Sequence, residues 1–301
     1  MHIVLTGSLG NIGQPLTQTL VQKGYQVTVI SSKAERQQDI EALGAKAAIG
    51  TIGDVDFLSA TFKGADIVYV METLDMAGSF FDPAVDFIAA INQIGRNYQQ
   101  AIEASGVKQV IHLSSIGAHM SKGNGILAFH HNVENILQEL PADVAIKFMR
   151  PVGFYTNMFA FIRSIAAHGN IVENYGGDNK FPWVSPIDIA AVIAEEVDTP
   201  FAGRKIRYIA SDEFSPNEAA YFLGQAIGKP DLKWEVIADD QLLQKWLTAG
   251  MNAQLAKDFV EMQASMHSGV LYEDYYRHKP VLGQVKLTDF AQAFAAAYHQ
   301  Q

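Results

Sequence analysis

The chain has 301 residues, of which 49% are hydrophobic, with no cysteine and a formal net charge of −10. That length and apolar content suit one large α/β core, or a core with a smaller lobe. The lack of cysteine removes disulfides, thiolate nucleophiles and cysteine metal sites. The acidic balance argues against a nucleic-acid footprint, and no apolar run approaches the roughly 20 residues that cross a bilayer. The first strand begins at His2, which leaves no room for a signal peptide, so the expectation is a soluble cytoplasmic protein.

The first half alternates apolar runs with amphipathic stretches. "IVLT", "QVTVIS", "AKAAIG", "DIVYVM", "VKQVIHLSS" and "DVAIKFMRP" read as strands, with helices expected over about 12–23, 34–43, 54–62, 83–105 and 126–139. Strand alternating with helix implies a parallel sheet covered on both faces. The expected fold is therefore α/β, a Rossmann-type doubly wound parallel sheet over residues 1–153. A smaller mixed α/β C-terminal lobe, 154–301, is interleaved with that sheet. In the lobe, "TNMFAFIRSIAAHG" and "SPIDIAAVIAEEV" read as helices, "KIRYIA" and "LKWEVI" as strands, and 239–264 as helical. "SPNEAAYFLGQAIGK" carries Ser215 and Glu218 in a capping-box pattern.

Between the first strand and the first helix, "LTGSLGNIG" places Gly7, Gly10 and Gly13 three apart. A glycine-rich turn that opens a helix aims free N–H groups at an anion, helped by the helix dipole. Gly7 turns the chain off the strand, Gly10 lets backbone approach a pyrophosphate, and Gly13 lets the helix pack on the sheet. The spacing is one residue longer than the tighter dinucleotide fingerprint; an ordinary βα turn is the competing reading. After "QVTVIS" there is no carboxylate to hold a ribose 2′-hydroxyl. Ser31, Ser32, Lys33 and Arg36 stand there instead, hydroxyls and cations suited to a 2′-phosphate, which favours NADP(H) over NAD(H). The alternative is that Lys33 and Arg36 decorate an exposed helix start.

"TGSLGNIG", "HLSSIGA" at 112–118, "HHNVENIL" at 130–137, "MRPVGFYTNMF" at 149–159 and "WVSPIDIA" at 183–190 occur in order. Together they resemble the NmrA-like branch of the atypical short-chain dehydrogenase/reductases, over nearly the whole chain. The resemblance implies a Rossmann domain with a nicotinamide dinucleotide at its switch point and a smaller lobe above. It implies either a reductase of quinones and other conjugated carbonyls, or a non-catalytic sensor of NADP(H) that binds a protein partner. Gly7, Ser8, Leu9, Gly10, Asn11, Ile12 and Gly13 match its pyrophosphate turn. Ile52 lies in the adenine-lining segment, where Thr51 replaces the usual Asp. Met71, Glu72 and Thr73 match the segment beneath the nicotinamide ribose, and Pro151, Gly153 and Phe154 the turn near the nicotinamide amide.

Typical short-chain dehydrogenases add Ser, Tyr and Lys, with Tyr and Lys four apart on one helix facing the cofactor. Ser114 or Ser115 fills the Ser place, but the helix over 126–139 holds neither Tyr nor Lys. The Tyr place falls at Ile126 and the Lys place at His130. His130 has three readings: a ribose contact, a proton donor, or a polar helix residue beside His131. The spacing Tyr275 to Lys279 is formal only, because Pro280 disfavours a helical Lys279. Nine histidines form no plausible ligand set, so no metal is expected. Met76, Phe80 and Phe81, and the stretch 154–162, either wall an apolar substrate pocket or pack beneath the lobe. Apolar residues at 290, 294 and 298 mark a packed amphipathic helix. A nucleotide-sugar epimerase or lyase-type reductase is a third class, disfavoured because it normally wants the Tyr and Lys.

Overall fold

The computed structural model describes residues 1–300. The Rossmann half runs β1 (His2–Leu5), α1 (Gly13–Gln22), β2 (Gln26–Ser31), α2 (Gln37–Ala42), β3 (Lys46–Ile49), α3 (Val55–Phe62), β4 (Ile67–Met71), α4 (Phe87–Ser105), β5 (Gln109–Leu113), α5 (Ala128–Gln138) and β6 (Ala145–Pro151). Then follow β7 (Gly153–Phe154), α6 (Phe161–His168), β8 (Ile171–Glu173), β9 (Phe181–Val184), α7 (Pro186–Glu196), β10 (Arg204–Ile209) and β11 (Asp212–Phe214). The chain ends with α8 (Pro216–Ala226), β12 (Trp234–Val236), α9 (Asp239–Thr248), α10 (Ala253–Ser268), α11 (Glu273–Arg277) and α12 (Leu287–His299).

Seven strands form one parallel sheet in the order β10-β6-β5-β4-β1-β2-β3. The order reverses at β1, so a crevice opens between the C-terminal ends of β1 and β4, where such sheets bind ligands. Alternation along each strand splits the core. Ile3, Leu5, Ile67, Tyr69, Ile111 and Leu113 face α1, α7 and the lobe. Val4, Val68, Val70, Val110, Ile146 and Phe148 face α3, α4 and α5. The seventh strand, β10, comes from beyond residue 153 and lies beside β6, with α7 packed on α1. The lobe adds two small sheets, β11-β9-β7 and β12-β8.

Three helical expectations are corrected. The stretch 83–105 becomes helical only at Phe87, because Asp86 caps α4 by accepting from the Ala89 N–H. The stretch 239–264 is two helices. Gly250, at φ +85°, ends the first, and Asn252 caps the second through Gln254 and Leu255. In "TNMFAFIRSIAAHG" the first turns are 3-10, over Tyr155–Ala160, and α6 begins at Phe161. No helix is long and apolar enough to cross a membrane among the described residues.

Candidate active site

The glycine turn joins β1 to α1 at the crevice. Gly7 has φ +89°, and Ser8, at φ +54°, is the one described residue other than glycine with positive φ. Ser8 is held there by its N–H donating to the Ile30 carbonyl at 3.1 Å and its hydroxyl donating to Ser31 Oγ at 3.0 Å. A strained residue fixed by two bonds is characteristic of a site that must present backbone in one shape. The amides of Leu9, Gly10, Asn11 and Ile12 donate to no carbonyl among the described residues, and no side chain caps α1. A Cβ on Gly10 would meet only the Gly7 carbonyl oxygen, at 3.5 Å. On Gly13 it would fall inside the contact shell of the Ser8 carbonyl. The turn therefore offers free donors over an open cradle, and its residues fit an anionic dinucleotide.

At the end of β2, Ser31 is buried and its hydroxyl is occupied by Ser8 and by the Lys33 N–H, at 3.2 Å. In this structure its hydroxyl braces the glycine turn. Ser32, Lys33 and Arg36 are exposed. Lys33 has no ion pair among the described residues, while Arg36 pairs with Asp39 at 3.2 Å, an exposed contact of little strength. Thr51 turns its hydroxyl back to the Gly53 N–H, and the Ile52 carbonyl accepts from Asn97.

At the C-terminal ends of β4 and β5, sheet register explains a buried acid. Val70 pairs with His112 across β4 and β5. Glu72, two residues on, points to the same face, and its Oε2 lies 2.9 Å from His112 Nε2. Both side chains are fully buried, yet Glu72 Oε1 and His112 Nδ1 have no partner. An orphaned buried carboxylate oxygen is costly unless a ligand satisfies it. The structure also separates the two serines. Ser114 donates to Glu134 at 2.5 Å and is buried, whereas the Ser115 hydroxyl has no hydrogen bond within the described residues and lines the cavity.

His130 lies on the cavity wall against Phe129, ring centroids 4.0 Å apart, and its Nδ1 has no partner. Burial, with His112 nearby, holds the imidazole well below its ordinary range. It is neutral at neutral pH and offers a hydrogen bond rather than an acidic imidazolium. His131 turns away, to the Ala118 carbonyl at 2.9 Å.

Sequence reasoning missed what holds α5 in place. Arg150 Nε and Nη2 donate to both oxygens of Glu134, at 2.9 and 2.6 Å, with both residues buried. β10 places Tyr208 opposite Arg150, and Tyr208 donates to Asp274 at 2.6 Å. The signal was available: Arg150 lies in a buried, mostly apolar strand, where a charge requires a partner, as Lys147 in the same strand finds in Glu196. Tyr275 and Lys279 do not reach the site. Both bond Glu213, at 3.0 and 2.6 Å, which explains the Tyr-x-x-x-Lys spacing as a lobe anchor.

From Met71, Ser115, His130 and Gly153 a cavity of about 940 Å³ runs under the lobe to Glu173, Trp246 and Tyr272. Its size suits a cofactor end plus an apolar ligand. Pro151 is buried and is not part of the lining, whereas Phe154 lines it. Phe80 lines it as well, packed on Phe87 and Phe259, but Phe81 is 61% exposed and Met76 is also exposed; neither walls the pocket. Phe159 packs on Phe290 and Phe294 of α12 instead. Glu173, half-buried and bonded by Gln263, is pushed up to about 7 by burial.

The comparisons with known proteins agree with this layout. A family model described as NAD(P)H-binding matches residues 7–200, more than half of the chain. The NAD(P)H azoreductase of Xenophilus azovorans is 24% identical over 299 residues, 98% of this chain and 99% of that protein. An NADPH-dependent quinone oxidoreductase from Escherichia coli, solved with NADPH, superposes with TM-score 0.79 at 19% identity, covering 97% of this chain and 99% of that one. A triphenylmethane reductase from Citrobacter superposes with TM-score 0.73 at 18% identity, covering 98% and 100%. The free amides, the crevice at the strand-order reversal and the family match point one way: the chain belongs to the NAD(P)H-binding family of Rossmann proteins, as its likeness to NmrA-like short-chain dehydrogenase/reductases implied.

Proposed function

We propose that the chain is an NADP(H)-dependent reductase of quinone-like or other conjugated aromatic acceptors. The observation that carries this is the mostly apolar cavity of about 940 Å³, continuous from the nicotinamide end to the lobe. A sensor needs only the cofactor end of such a space; a reductase needs room for a second planar molecule. The azoreductase relative and the quinone and dye reductase folds support the same class.

When bound, the reduced nicotinamide supplies a hydride. The protein's residues do the rest. Leu9 to Ile12 bind the pyrophosphate through backbone N–H groups, and Lys33 with Ser32 and Arg36 favours a 2′-phosphate. Glu72 Oε1 accepts a ribose hydroxyl, and His130 offers a second contact where other family members have Lys. Ser115 faces the substrate. Without a Tyr–Lys pair, alignment in a dry cavity supplies most of the rate, which suits conjugated acceptors more than simple carbonyls.

Stopped-flow loss of NADPH absorbance with a panel of quinones, azo compounds, enones and aldehydes tests this. Reduction of quinones or azo compounds is expected. Tight NADPH binding with no oxidation by any of them refutes the reductase reading in favour of the sensor. His130→Ala should weaken NADPH by about 1 kcal/mol, the worth of one neutral hydrogen bond. Because the imidazole is already neutral, the ratio of variant to wild-type turnover at saturating NADPH should stay constant from pH 6.5 to 9. A ratio that changes across that range gives His130 the proton-donor role instead.

A further inference from the structure

The cavity wall opposite Ser115 carries hydrogen-bond donors that the cofactor-binding residues do not use. Tyr175 and Tyr272 flank Phe181, with ring centroids 6.2 and 5.4 Å from it. Both line the cavity. Neither hydroxyl has a hydrogen-bond partner among the described residues, and neither is among the fully buried unpartnered atoms, so each keeps some accessible surface although both residues are buried. Burial holds both hydroxyls far above the ordinary tyrosine range, so both stay protonated and donate. Trp183 lines the same wall, and its indole N–H is buried without a partner.

Two packing contacts tie this wall to Gly153 and to the turn after Ser115. The Trp183 ring lies 3.4 Å from the position of a Cβ on Gly153. Leu271, next to Tyr272, lies 2.8 Å from the position of a Cβ on Gly117, in the turn that follows Ser115. Tyr272, the next residue, lines the same cavity as Ile126 and His130, where no tyrosine stands.

We propose that Tyr175 and Tyr272 form the substrate's acceptor site, donating hydrogen bonds to an oxygen or nitrogen of a flat aromatic acceptor such as a quinone or azo compound. The proposal rests on the reductase reading and adds to it the residues that select the substrate. The donors hold and polarise the acceptor atom; no proton leaves a tyrosine. Discrimination follows because a ring system of the same shape without an acceptor atom leaves the donors unsatisfied. Glu173 stands beside Tyr175, paired with Gln263, and Lys245 lies near it.

The test compares menadione with 2-methylnaphthalene, which has the same skeleton without the two oxygens. Binding of each is titrated by tryptophan fluorescence, with and without NADP+, for the wild type, Tyr175→Phe, Tyr272→Phe and the double variant. Neither hydroxyl bonds the protein, so the phenylalanines should fold and bind NADP+ as the wild type does. Each single variant should lose roughly 3- to 10-fold in menadione affinity and nothing for 2-methylnaphthalene. Equal menadione affinity in wild type and double variant overturns the proposal, as does equal loss for both ligands or no menadione binding by the wild type. If NADP+ fails to bind, the proposed reductase function falls, while the menadione titration still judges the tyrosines.

Discussion

Replacing Gly10 with valine separates ligand binding from folding in the glycine turn. Gly10 is exposed and its φ is not positive, and an added Cβ meets only the Gly7 carbonyl oxygen at the ordinary distance of 3.5 Å. A substitution of that kind changes stability by about 0.5 kcal/mol or less, which is roughly 2 °C or less in melting temperature for a chain of this size. The side chain nevertheless stands where the free amides of Leu9 to Ile12 must meet an anion. One lost charge-assisted bond, at about 1.5–3 kcal/mol, is roughly 10- to 150-fold in NADPH affinity. Its neighbours behave differently. An alanine at Gly13 collides with the Ser8 carbonyl backbone, so it should cost about 1–3 kcal/mol of stability with or without ligand. An alanine at Gly7 must adopt φ +89° against Met71 Sδ at 2.7 Å, with about 1–2 kcal/mol of strain. Calorimetric titration with NADPH, beside thermal melts of the apoprotein, reads both effects. A Gly10→Val protein that melts and binds like the wild type would refute the assignment of the turn.

Lys33→Ala combined with Arg36→Ala should weaken NADPH by at least tenfold more than NADH; equal losses for the two cofactors count against a 2′-phosphate site. Glu134→Ala strands the buried Arg150 guanidinium and frees Ser114, so a loss of about 3–5 kcal/mol in a denaturant titration is expected, and an unchanged midpoint would show that the pair is not structural. Glu173→Gln should change how stability depends on pH. The carboxyl is raised to about 7 in the folded protein against an ordinary 4.5, so the folded state holds a proton that the unfolded state releases. Its contribution is present below pH 4.5 and is lost as pH rises to 7, at most about 3 kcal/mol. Melts at pH 5 and 8 should therefore show the wild type losing several degrees relative to the variant as pH rises; parallel melting curves would contradict the shift.

The sheet was legible in the sequence because its signals are local. Apolar runs such as "DIVYVM" and "QVTVIS" have to be buried wherever they lie, and Gly7, Gly10 and Gly13 mark a turn by what they lack. Asp86, Gly250 and Asn252 moved helix ends because a cap is decided by one side chain or one backbone angle, which periodicity averages away. The absence of Tyr and Lys over 126–139 could also be read in one dimension, although Ile126 falls in a 3-10 turn, Gly125–Leu127, and only His130 lies on α5.

Pairing across the fold was not legible. Glu72 meets His112 through the β4–β5 register, and Glu134 meets Arg150 through the packing of α5 on β6. Each is an isolated polar letter until a partner far along the chain removes its water. Ser114 and Ser115 are adjacent in sequence, but only the packing of α5 ties one to Glu134 and leaves the other facing the cavity. Tyr155, Tyr272 and Tyr275 look alike in sequence. Tyr155 bonds the Val285 carbonyl and Tyr275 bonds Glu213, while Tyr272 lines the cavity with no partner for its hydroxyl among the described residues. Composition and spacing determined the fold and the glycine turn, because burial and backbone conformation are properties of short segments. The lining of the cavity was decided by tertiary structure, because a free donor is defined by the partners that the rest of the chain fails to bring to it.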